Sequence, residues 1–329
     1  MKKMLAVLTA AAAAVSVLTT GCDSSGGEIT VTIVQPMSHT SLDQIRDTII
    51  AELEAAGRDD IRVVTENANN DTTALTTILQ NQRSEGVDIV VPIATNTAQT
   101  AKAVFDGEDT PIIFAAVSDP DAAGLTGSDC QYITGVSNNI PAGEIVELIS
   151  NFQPDYQKIG FLYTSSETNS VSTIQAAEAY CDENGIAYEE ASIANLSELP
   201  TAVETLISEG VDVLYTGNDN SIASAMPTYT DAAYSNGIPV YCGADSMVAD
   251  GGFATIGVNY VQLGTQVADM ILRIADGEAP ADIPYETLAE YAKYVNLQAA
   301  DTLGLELTDE MLEGYSVLVE VDGTSHFGE

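Results

Sequence analysis

Hydrophobic positions along this chain come in short, nearly unbroken runs of Val, Ile and Leu, separated by longer amphipathic stretches. Such runs are typical of strands covered on both faces, and the amphipathic stretches predict helices between them. Their alternation predicts an α/β fold with parallel sheets. The predicted strands are 29–34, 61–65, 88–93, 111–116 and 132–136 in the first half, and 158–163, 187–191, 212–216 and 238–242 in the second.

The two halves of the chain repeat one pattern. The sequence Ser-Glu-Gly-Val-Asp-Ile-Val at 84–90 returns as Ser-Glu-Gly-Val-Asp-Val-Leu at 208–214, each a helix end, a glycine stop and a strand. Each copy runs through a polar loop into another helix. The predicted helices are 41–56, 72–84, 97–105, 141–152, 170–183, 199–208, 222–235, 260–275 and 298–303, the last after a late strand at 294–297.

The repeat predicts two similar Rossmann-like lobes with a ligand cleft between them. We assign 29–143 plus 246–284 to the first lobe and 144–245 plus 285–320 to the second. The strand predicted at 251–258 fits either half, and residues after about 314 have no counterpart in the repeat.

Polar loops follow the matched strands in both halves, and ligands of open parallel sheets bind outside the carboxyl ends of the strands. Ser, Thr and Asn at helix starts leave backbone N–H groups that suit a carboxylate. Asp119, Asp219 and Asp245 stand at strand ends and suit an ammonium group or sugar hydroxyls. Helix capping alone explains any one of these residues equally well. Together they predict a site for a zwitterion.

Charge and composition narrow the function. The chain has 10 Lys and Arg against 49 Asp and Glu, a net charge of −39, which repels the phosphate backbone of nucleic acids. The sequence has no Gly-rich phosphate loop followed by Lys and Ser or Thr, so any ATP use belongs to a partner.

The residues that carry catalytic and metal chemistry are sparse. No C-x-x-C or Cys/His spacing is present, and His39 and His326 lie far apart in the sequence. Neither a metal nor a cofactor is predicted. No nucleophile–base pair is recognisable, so a binding protein is favoured over an enzyme.

The N-terminal residues predict export and anchoring. Residues 1–21 have two lysines, an apolar run and small residues, as a signal peptide does. Residues 18–22, Leu-Thr-Thr-Gly-Cys, predict a lipoprotein cleavage site with Cys22 diacylated and 22–28 as a flexible tether. Ordinary secretion with a free Cys22 is the alternative. The predicted location is the extracytoplasmic face of the cell membrane.

Several segments together resemble one known group, the bacterial ABC-transporter solute-binding lipoproteins of the tryptophan/tyrosine-type family. They are 39–43, 93–99, 114–120, 134–137, 167–171, 219–220, Asp245 and 294–300. The resemblance implies a type I periplasmic-binding-protein fold whose two lobes, joined by three crossing segments, close around an aromatic or other apolar amino acid. It also implies pocket positions for Thr95, Asp119, Asn169, Ser170, Asp219, Asn220 and Asp245. The chain departs from the family at Ser38, where an acidic residue is common, and at Thr40, where proline is usual.

The function predicted is capture of an amino acid by lobe closure and its delivery to a membrane permease with its ATPase. N–H and hydroxyl groups near 95–97 and 169–170 would hold the carboxylate. Asp219 would pair with the ammonium group, with Asp119 or Asp245 as second candidates. A sugar or nucleoside ligand, or a sensor role, stays open. The candidate ligand-binding residues are Ser38, His39, Thr95, Asn96, Thr97, Asp119, Glu167, Asn169, Ser170, Asp219, Asn220 and Asp245.

Overall fold

A computed structural model describes residues 27–288 and 291–327. The predicted signal peptide and Cys22 lie outside the described residues. The strands are β1 (Ile29–Gln35), β2 (Ile61–Asn67), β3 (Ile89–Pro92), β4 (Ile112–Val117), β5 (Ile133–Ser137), β6 (Lys158–Thr164), β7 (Ala187–Ile193), β8 (Val213–Thr216), β9 (Val240–Cys242), β10 (Ala254–Gly257), β11 (Glu286–Thr287), β12 (Ala292–Asn296) and β13 (Ser316–Val319).

Helices occupy the gaps between these strands, as the amphipathic stretches predict. None of the helices within 27–288 and 291–327 is long and apolar enough to cross a bilayer. The helices are α1 (Thr40–Ala55), α2 (Thr72–Glu85), α3 (Thr95–Val104), α4 (Ala142–Phe152), α5 (Thr168–Asn184), α6 (Leu199–Ser208), α7 (Asn220–Ala223), α8 (Met226–Tyr234), α9 (Asp245–Ala249), α10 (Tyr260–Ala275) and α11 (Leu297–Leu303).

The strands form two separate sheets. The first has the order β11-β5-β4-β3-β1-β2 and is parallel throughout. The second has the order β13-β12-β10-β9-β8-β6-β7, and its one antiparallel pair is β10 with β12. Helices cover the sheets. Successive residues of β1 face different apolar cores: Ile33 belongs to one, and Val34 belongs to the other, which lies beneath α2 and α3. The predicted α/β fold with two lobes is confirmed.

The sequence repeat corresponds to one structural unit in each lobe. Gly86 and Gly210 follow α2 and α6 with φ values of 73° and 80°, a left-handed conformation that glycine adopts without steric cost. Each donates its N–H to a carbonyl of the preceding helical turn, 3.2 Å from Arg83 O and 3.0 Å from Ile207 O respectively. The chain then enters β3 or β8, so the same turn connects helix to strand in both lobes.

The chain passes between the sheets three times, once between β5 and β6, once between β10 and α10, and once between β11 and β12. The helix α10 packs against α1 and β4 and so belongs to the first lobe. Two sequence assignments were wrong. The segment that holds α9 and β10, placed in the first lobe, belongs to the second, where β10 pairs with β9 and α9 packs on β10, β12 and β13; β11, placed in the second lobe, pairs in the first sheet. Both runs are short, and their partners are set by contacts far away in the sequence.

Three further elements differ from the prediction. The helix predicted at 222–235 is two helices, because Pro227 has no N–H for an interior position and stands in the first turn of α8. The short helix α9 was not predicted. The residues after 314, which the repeat left unplaced, add β13 to the edge of the second sheet beside β12.

The strands β4 and β5 of the first sheet are tightly packed against each other. The pairing of β4 with β5 shifts register between Ala115 and Val117, and Ala116 between them has a φ of 59°. On the neighbouring strand Gly135 has a φ of 153° and lies against Phe114. A Cβ atom at position 135 would stand 2.1 Å from Phe114 O and 2.6 Å from its ring. Only glycine fits this position.

Candidate functional site

A cavity lies between the two lobes at the carboxyl ends of the strands, and both lobes contribute residues to its lining. The first lobe lines the cavity with His39, Ser41, Leu42, Ala94, Ala116, Asn138 and Tyr260, and the second lobe lines it with Asn169, Asn218, Asp219, Asn220, Ala223, Ala244 and Met247.

Three of the long helices that begin at this cavity, α1, α3 and α5, have no side chain capping their first turn. Their first N–H groups are therefore left for water or a ligand, and the helix dipoles favour negative charge there. The hydroxyls of Thr95 and Thr97, in the first turn of α3, are buried without a hydrogen-bonding partner. These helix starts have the chemistry of an anion-binding site.

The backbone at two points of the cavity wall adopts conformations that residues with a Cβ rarely take. Ala94, just after β3, has φ 74° and ψ 156°, and Ala116 on β4 has φ 59°. Such backbone persists where surrounding contacts enforce it, and it is concentrated at ligand sites. Ala94 N donates to Ala115 O over 2.9 Å, which ties the two positions together.

Asp219 is fully buried in the cavity wall. Thr164 N donates to its Oδ2 over 2.6 Å, while Thr164 Oγ1 and Ile222 N donate to its Oδ1, each over 2.9 Å. Burial raises the pKa of Asp219 and the Glu167 charge raises it further, against the lowering by these hydrogen bonds. The buried hydroxyl of Ser170 is a further donor that lowers the pKa of Asp219, so Thr164 and Ile222 are not its only hydrogen-bonding neighbours. No Lys or Arg stands among the residues that line the cavity.

Glu167 supports the site from behind. Its Oε2 accepts bonds from Asn220 N and Nδ2, at 2.9 and 2.8 Å, and its Oε1 accepts bonds from Ser221 N and Oγ, at 2.8 and 2.7 Å. The carboxylate is thus satisfied within its own lobe, at the start of α7, and is absent from the cavity lining. Glu167 fixes the position of Asn220 and adds negative charge near Asp219.

Side chains of the two lobes are joined directly across the cleft. Asn220 Nδ2 donates to Glu167, so its Oδ1 is the acceptor for His39 Nε2 at 3.1 Å. Burial lowers the pKa of His39, although the bond to Asn220 opposes this. The lobes are therefore held together by polar contacts. Further bonds of this kind are Ser41 Oγ with Ser246 Oγ, Asn218 Nδ2 to Asn138 O at 3.2 Å, Asn96 Nδ2 to Ser166 O at 3.2 Å, Thr168 Oγ1 to Gln99 Oε1 at 3.3 Å, and Tyr260 Oη to Asn218 Oδ1 at 3.5 Å.

Most residues singled out from the sequence converge here. His39, Asn169, Asp219 and Asn220 line the cavity. A second group is buried behind the lining or stands at its rim. In this group Asp245 is 8 % exposed and accepts a bond from Ser246 N at 2.7 Å, and burial raises the pKa of its carboxyl to about 6. The group consists of Thr95, Asn96, Thr97, Glu167, Ser170 and Asp245.

Two predicted residues are not brought to the cavity. Asp119 is exposed and accepts a hydrogen bond from Ala122 N at 2.9 Å, so it caps a turn. Ser38 is exposed and accepts a bond from Asn67 Nδ2 at 2.7 Å. Both lie in the predicted loops, but neither lines the cavity.

Sequence reasoning missed most of the lining residues. Asn218 and Ala244 lie in loops that were predicted to border the cleft, but an asparagine or alanine there does not by itself indicate ligand binding. Asn138 follows β5, a strand end that the repeat did not mark as part of the site. Tyr260 begins α10 after the second crossing between lobes. The residues missed are Ser41, Leu42, Ala94, Ala116, Asn138, Asn218, Ala223, Ala244, Met247 and Tyr260.

The described part of the chain contains no group of three or more His, Cys, Asp or Glu side chains placed to hold a metal ion. Cys130, Cys181 and Cys242, its three thiols, are buried and not paired in disulfides.

Known proteins resemble this chain over almost its whole length. A curated tyrosine-binding protein of Clostridioides difficile is 30% identical over 325 residues, covering 93% of each chain. A solved ABC domain from Streptococcus pneumonia in complex with L-Trp is 31% identical, covers 88% of this chain and 99% of its own, and has a TM-score of 0.82. The ligand-free, open structure of a substrate-binding protein from Clostridium difficile is 30% identical, with coverages of 88% and 98%, and has a TM-score of 0.67.

The two solved relatives differ little in identity and coverage, yet the chain superposes better on the L-Trp complex than on the open structure. This agrees with the hydrogen bonds that join its lobes. The sequence profile of one family, described as ABC transporter substrate binding protein, matches residues 30–316. The chain belongs to this family of ABC transporter substrate-binding proteins.

Proposed function

We propose that the chain captures an amino acid with an aromatic or apolar side chain between its lobes. The observation that carries the proposal is Asp219, a fully buried carboxylate in the cavity wall with no Lys or Arg among the lining residues. A buried charge is costly unless an opposite charge pairs with it. The α-ammonium group of an enclosed amino acid supplies that charge, and exclusion of water strengthens the pair.

The carboxylate of the same ligand fits the uncapped helix starts. The first N–H groups of α3 and α5 face the cavity from opposite lobes, next to Ala94 and Asn169. The buried hydroxyls of Thr95 and Thr97 lie in the first turn of α3. A carboxylate at this point would be held by neutral donors alone, with the ammonium group toward Asp219.

The side chain of the ligand fits the apolar part of the lining, which includes Leu42, Ala223 and Met247 together with Tyr260. The relatives agree with this class, since one is named a tyrosine-binding protein and another was solved with L-Trp. Sugar sites commonly stack their ligand on aromatic rings. Here the chain has no Trp, and Tyr260 is the only Tyr, Phe or Trp among the lining residues.

Transport and anchoring complete the proposal. Family membership supports delivery of the ligand to a membrane permease driven by an ATPase. The sequence at 18–22 supports a diacyl anchor on Cys22, which would keep the protein at the extracytoplasmic face of the membrane. No catalytic step is proposed, and the role of the site is binding alone.

Calorimetric titration of residues 23–329 tests the proposal. The protein is unfolded and refolded to remove carried ligand, then titrated with the proteinogenic amino acids, with sugars and nucleosides as controls. We expect tight binding of one or a few aromatic or apolar amino acids. Binding of a sugar or nucleoside and of no amino acid by the folded protein would overturn the proposal while leaving the fold intact.

Acidic pH is expected to weaken amino acid binding. Burial raises the pKa of Asp219 in the free protein, and a bound ammonium group would lower it again, so binding releases a proton. The affinity should therefore fall, by up to about tenfold per pH unit, as the pH is lowered from about 8 to about 5.5. Calorimetry across this range measures the effect.

A ligand that lacks the ammonium group is the control for this pH dependence. The deamino analogue of the bound amino acid keeps the carboxylate and the side chain. Its affinity should not fall with pH, since protonation of Asp219 removes no partner from it. An amino acid affinity that stays constant or rises toward pH 5.5 would contradict the pairing with Asp219.

A further inference from the structure

The helices α2 and α3 form a layer over one side of the first sheet, and their charge differs from that of the rest of the chain. Glu85, the last residue of α2, is the only acidic residue in the two helices, in a chain with 49 Asp and Glu. By contrast α1 carries four acidic residues and α5 three, while α6 and α8 carry one each with no basic residue; α2 and α3 also carry Arg83 and Lys102. We call the outer surface of α2 and α3, together with Ser166, the α2–α3 face.

The α2–α3 face is a groove lined mostly by uncharged side chains, polar ones together with the apolar Leu75, Ala103 and Val104. Thr72 and Gln80 are exposed, while Gln99 and Thr100 are partly exposed along its floor. The one cation in the groove, Arg83, is neutralised by Glu108 at 2.6 Å and also donates to Val104 O at 2.9 Å. The groove therefore offers hydroxyl, amide and apolar groups without net charge.

The face is continuous across both lobes only in the arrangement seen here. Ser166 belongs to the second lobe and lines the groove, and its carbonyl accepts a hydrogen bond from Asn96 Nδ2 at 3.2 Å. Beside it Thr168 Oγ1 donates to Gln99 Oε1 at 3.3 Å. If the lobes separated, both bonds would break and Ser166 would leave the groove. A partner on this face would distinguish joined from separated lobes.

We propose that the α2–α3 face is the surface on which the membrane permease docks. A bilayer with anionic lipids has a negative surface potential, which repels a chain of net charge −39. Juxtaposed like charges at an interface are costly, so the acidic protein approaches the membrane with its least negative surface. This inference rests on the proposed role in transport for the identity of the partner.

The permease suits this face better than the lipid surface does. Binding to lipid needs clustered basic residues or large apolar side chains that insert into the bilayer. Among the residues described, the large apolar side chains that are exposed are Val261, Tyr285 and Val321, all outside α2 and α3. Neutral hydrogen-bonding side chains fit the polar loops of a membrane protein.

Charge insertion tests the proposal without touching the cavity. The variant Thr72→Glu/Gln80→Glu places two carboxylates on exposed positions of α2. The permease and its ATPase are reconstituted in nanodiscs, and binding of the protein to them is measured with and without the ligand found by calorimetry. We expect at least about tenfold weaker permease binding, with the affinity for the ligand unchanged, because juxtaposed like charges weaken an interface.

The matched control is Thr201→Glu/Ser208→Glu, which adds the same charge to exposed positions of α6, the counterpart of α2 in the second lobe. It should bind the permease as the unmodified protein does. Equal loss in both variants, no loss in either, or equal binding of the protein to permease-free nanodiscs would overturn the proposal. Because permease binding is also measured without ligand, the effect of the two variants on docking can be interpreted even if the protein binds no amino acid.

Discussion

Asparagine in place of Asp219 is expected to weaken amino acid binding by at least about 100-fold, because the ammonium group would be enclosed without its counter-charge. Removing one partner of a buried charge pair costs roughly 3–5 kcal/mol, and each ~1.4 kcal/mol is a factor of ten in affinity. Asparagine has nearly the same shape as aspartate and keeps one oxygen for Thr164 Oγ1 and Ile222 N, while Thr164 N, which donates to the other carboxylate oxygen, loses its acceptor. Calorimetric titration of Asp219→Asn with the identified amino acid measures the loss.

The control for this variant is Asp71→Asn. Asp71 also begins a helix, accepting bonds from Thr73 N at 2.8 Å and Ala74 N at 3.0 Å, but it is exposed and does not line the cavity. Its replacement should lower stability by about 1 kcal/mol or less and leave ligand affinity within about twofold. If the Asp219→Asn protein shows a normal thermal unfolding transition and binds the ligand as tightly as the unmodified chain, Asp219 is only a helix cap.

Alanine in place of Gly135 is expected to prevent folding, or to lower the free energy of unfolding by more than about 4 kcal/mol. The new Cβ would stand 2.1 Å from Phe114 O, a contact that no side-chain rotation relieves because the obstructing atom is backbone. Overpacking alone typically costs about 1–3 kcal/mol, and a φ of 153° adds strain for a residue with a Cβ. Urea denaturation, or the yield of folded protein, measures the effect.

Gly57→Ala provides the comparison for Gly135→Ala. Gly57 follows α1 with a φ of 65°, and no atom lies within 4 Å of the position that a Cβ would take. Only the backbone conformation then opposes alanine, at about 1–2 kcal/mol. If Gly135→Ala proves as mild as Gly57→Ala, the packing of β4 against β5 at this point is looser than the structure indicates.

Much of the fold was predictable because its signals are local. The turn of Ser-Glu-Gly-Val-Asp marks a helix end and a strand start wherever it occurs, and Gly86 and Gly210 both take the left-handed conformation there. The sheet to which β10 belongs was not predictable. Its apolar run suits either core, and it lies in the second sheet because β9 and β12 flank it. Such partners are contributed by residues that are distant in the sequence.

The site was predictable at the level of loops and less so at the level of side chains. Parallel strands bring their carboxyl ends together, which located most of the loops. Whether a side chain then enters the cavity depends on the rotation of each helix and on the loop geometry. Asp119 and Asp219 follow strands in the same way, yet one is exposed and the other fully buried. Ala94 and Ala116 carry no chemical signal at all, since it is their backbone that shapes the wall. Direct ligand contact by the predicted residues stays a prediction.

Because the cavity is lined by both lobes, a ligand bound in it would contact both lobes and hold them together. Helix starts from the first lobe and Asp219 from the second would each hold a solute weakly alone. Because the two lobes belong to one chain, a solute that is bound to one lobe meets the binding groups of the other lobe at a high effective concentration. The three crossings between the sheets set that concentration. The segments that cross between the lobes therefore contribute to the affinity. A substitution in one of them is expected to change how tightly a solute is bound, even though the substituted residue does not contact the solute.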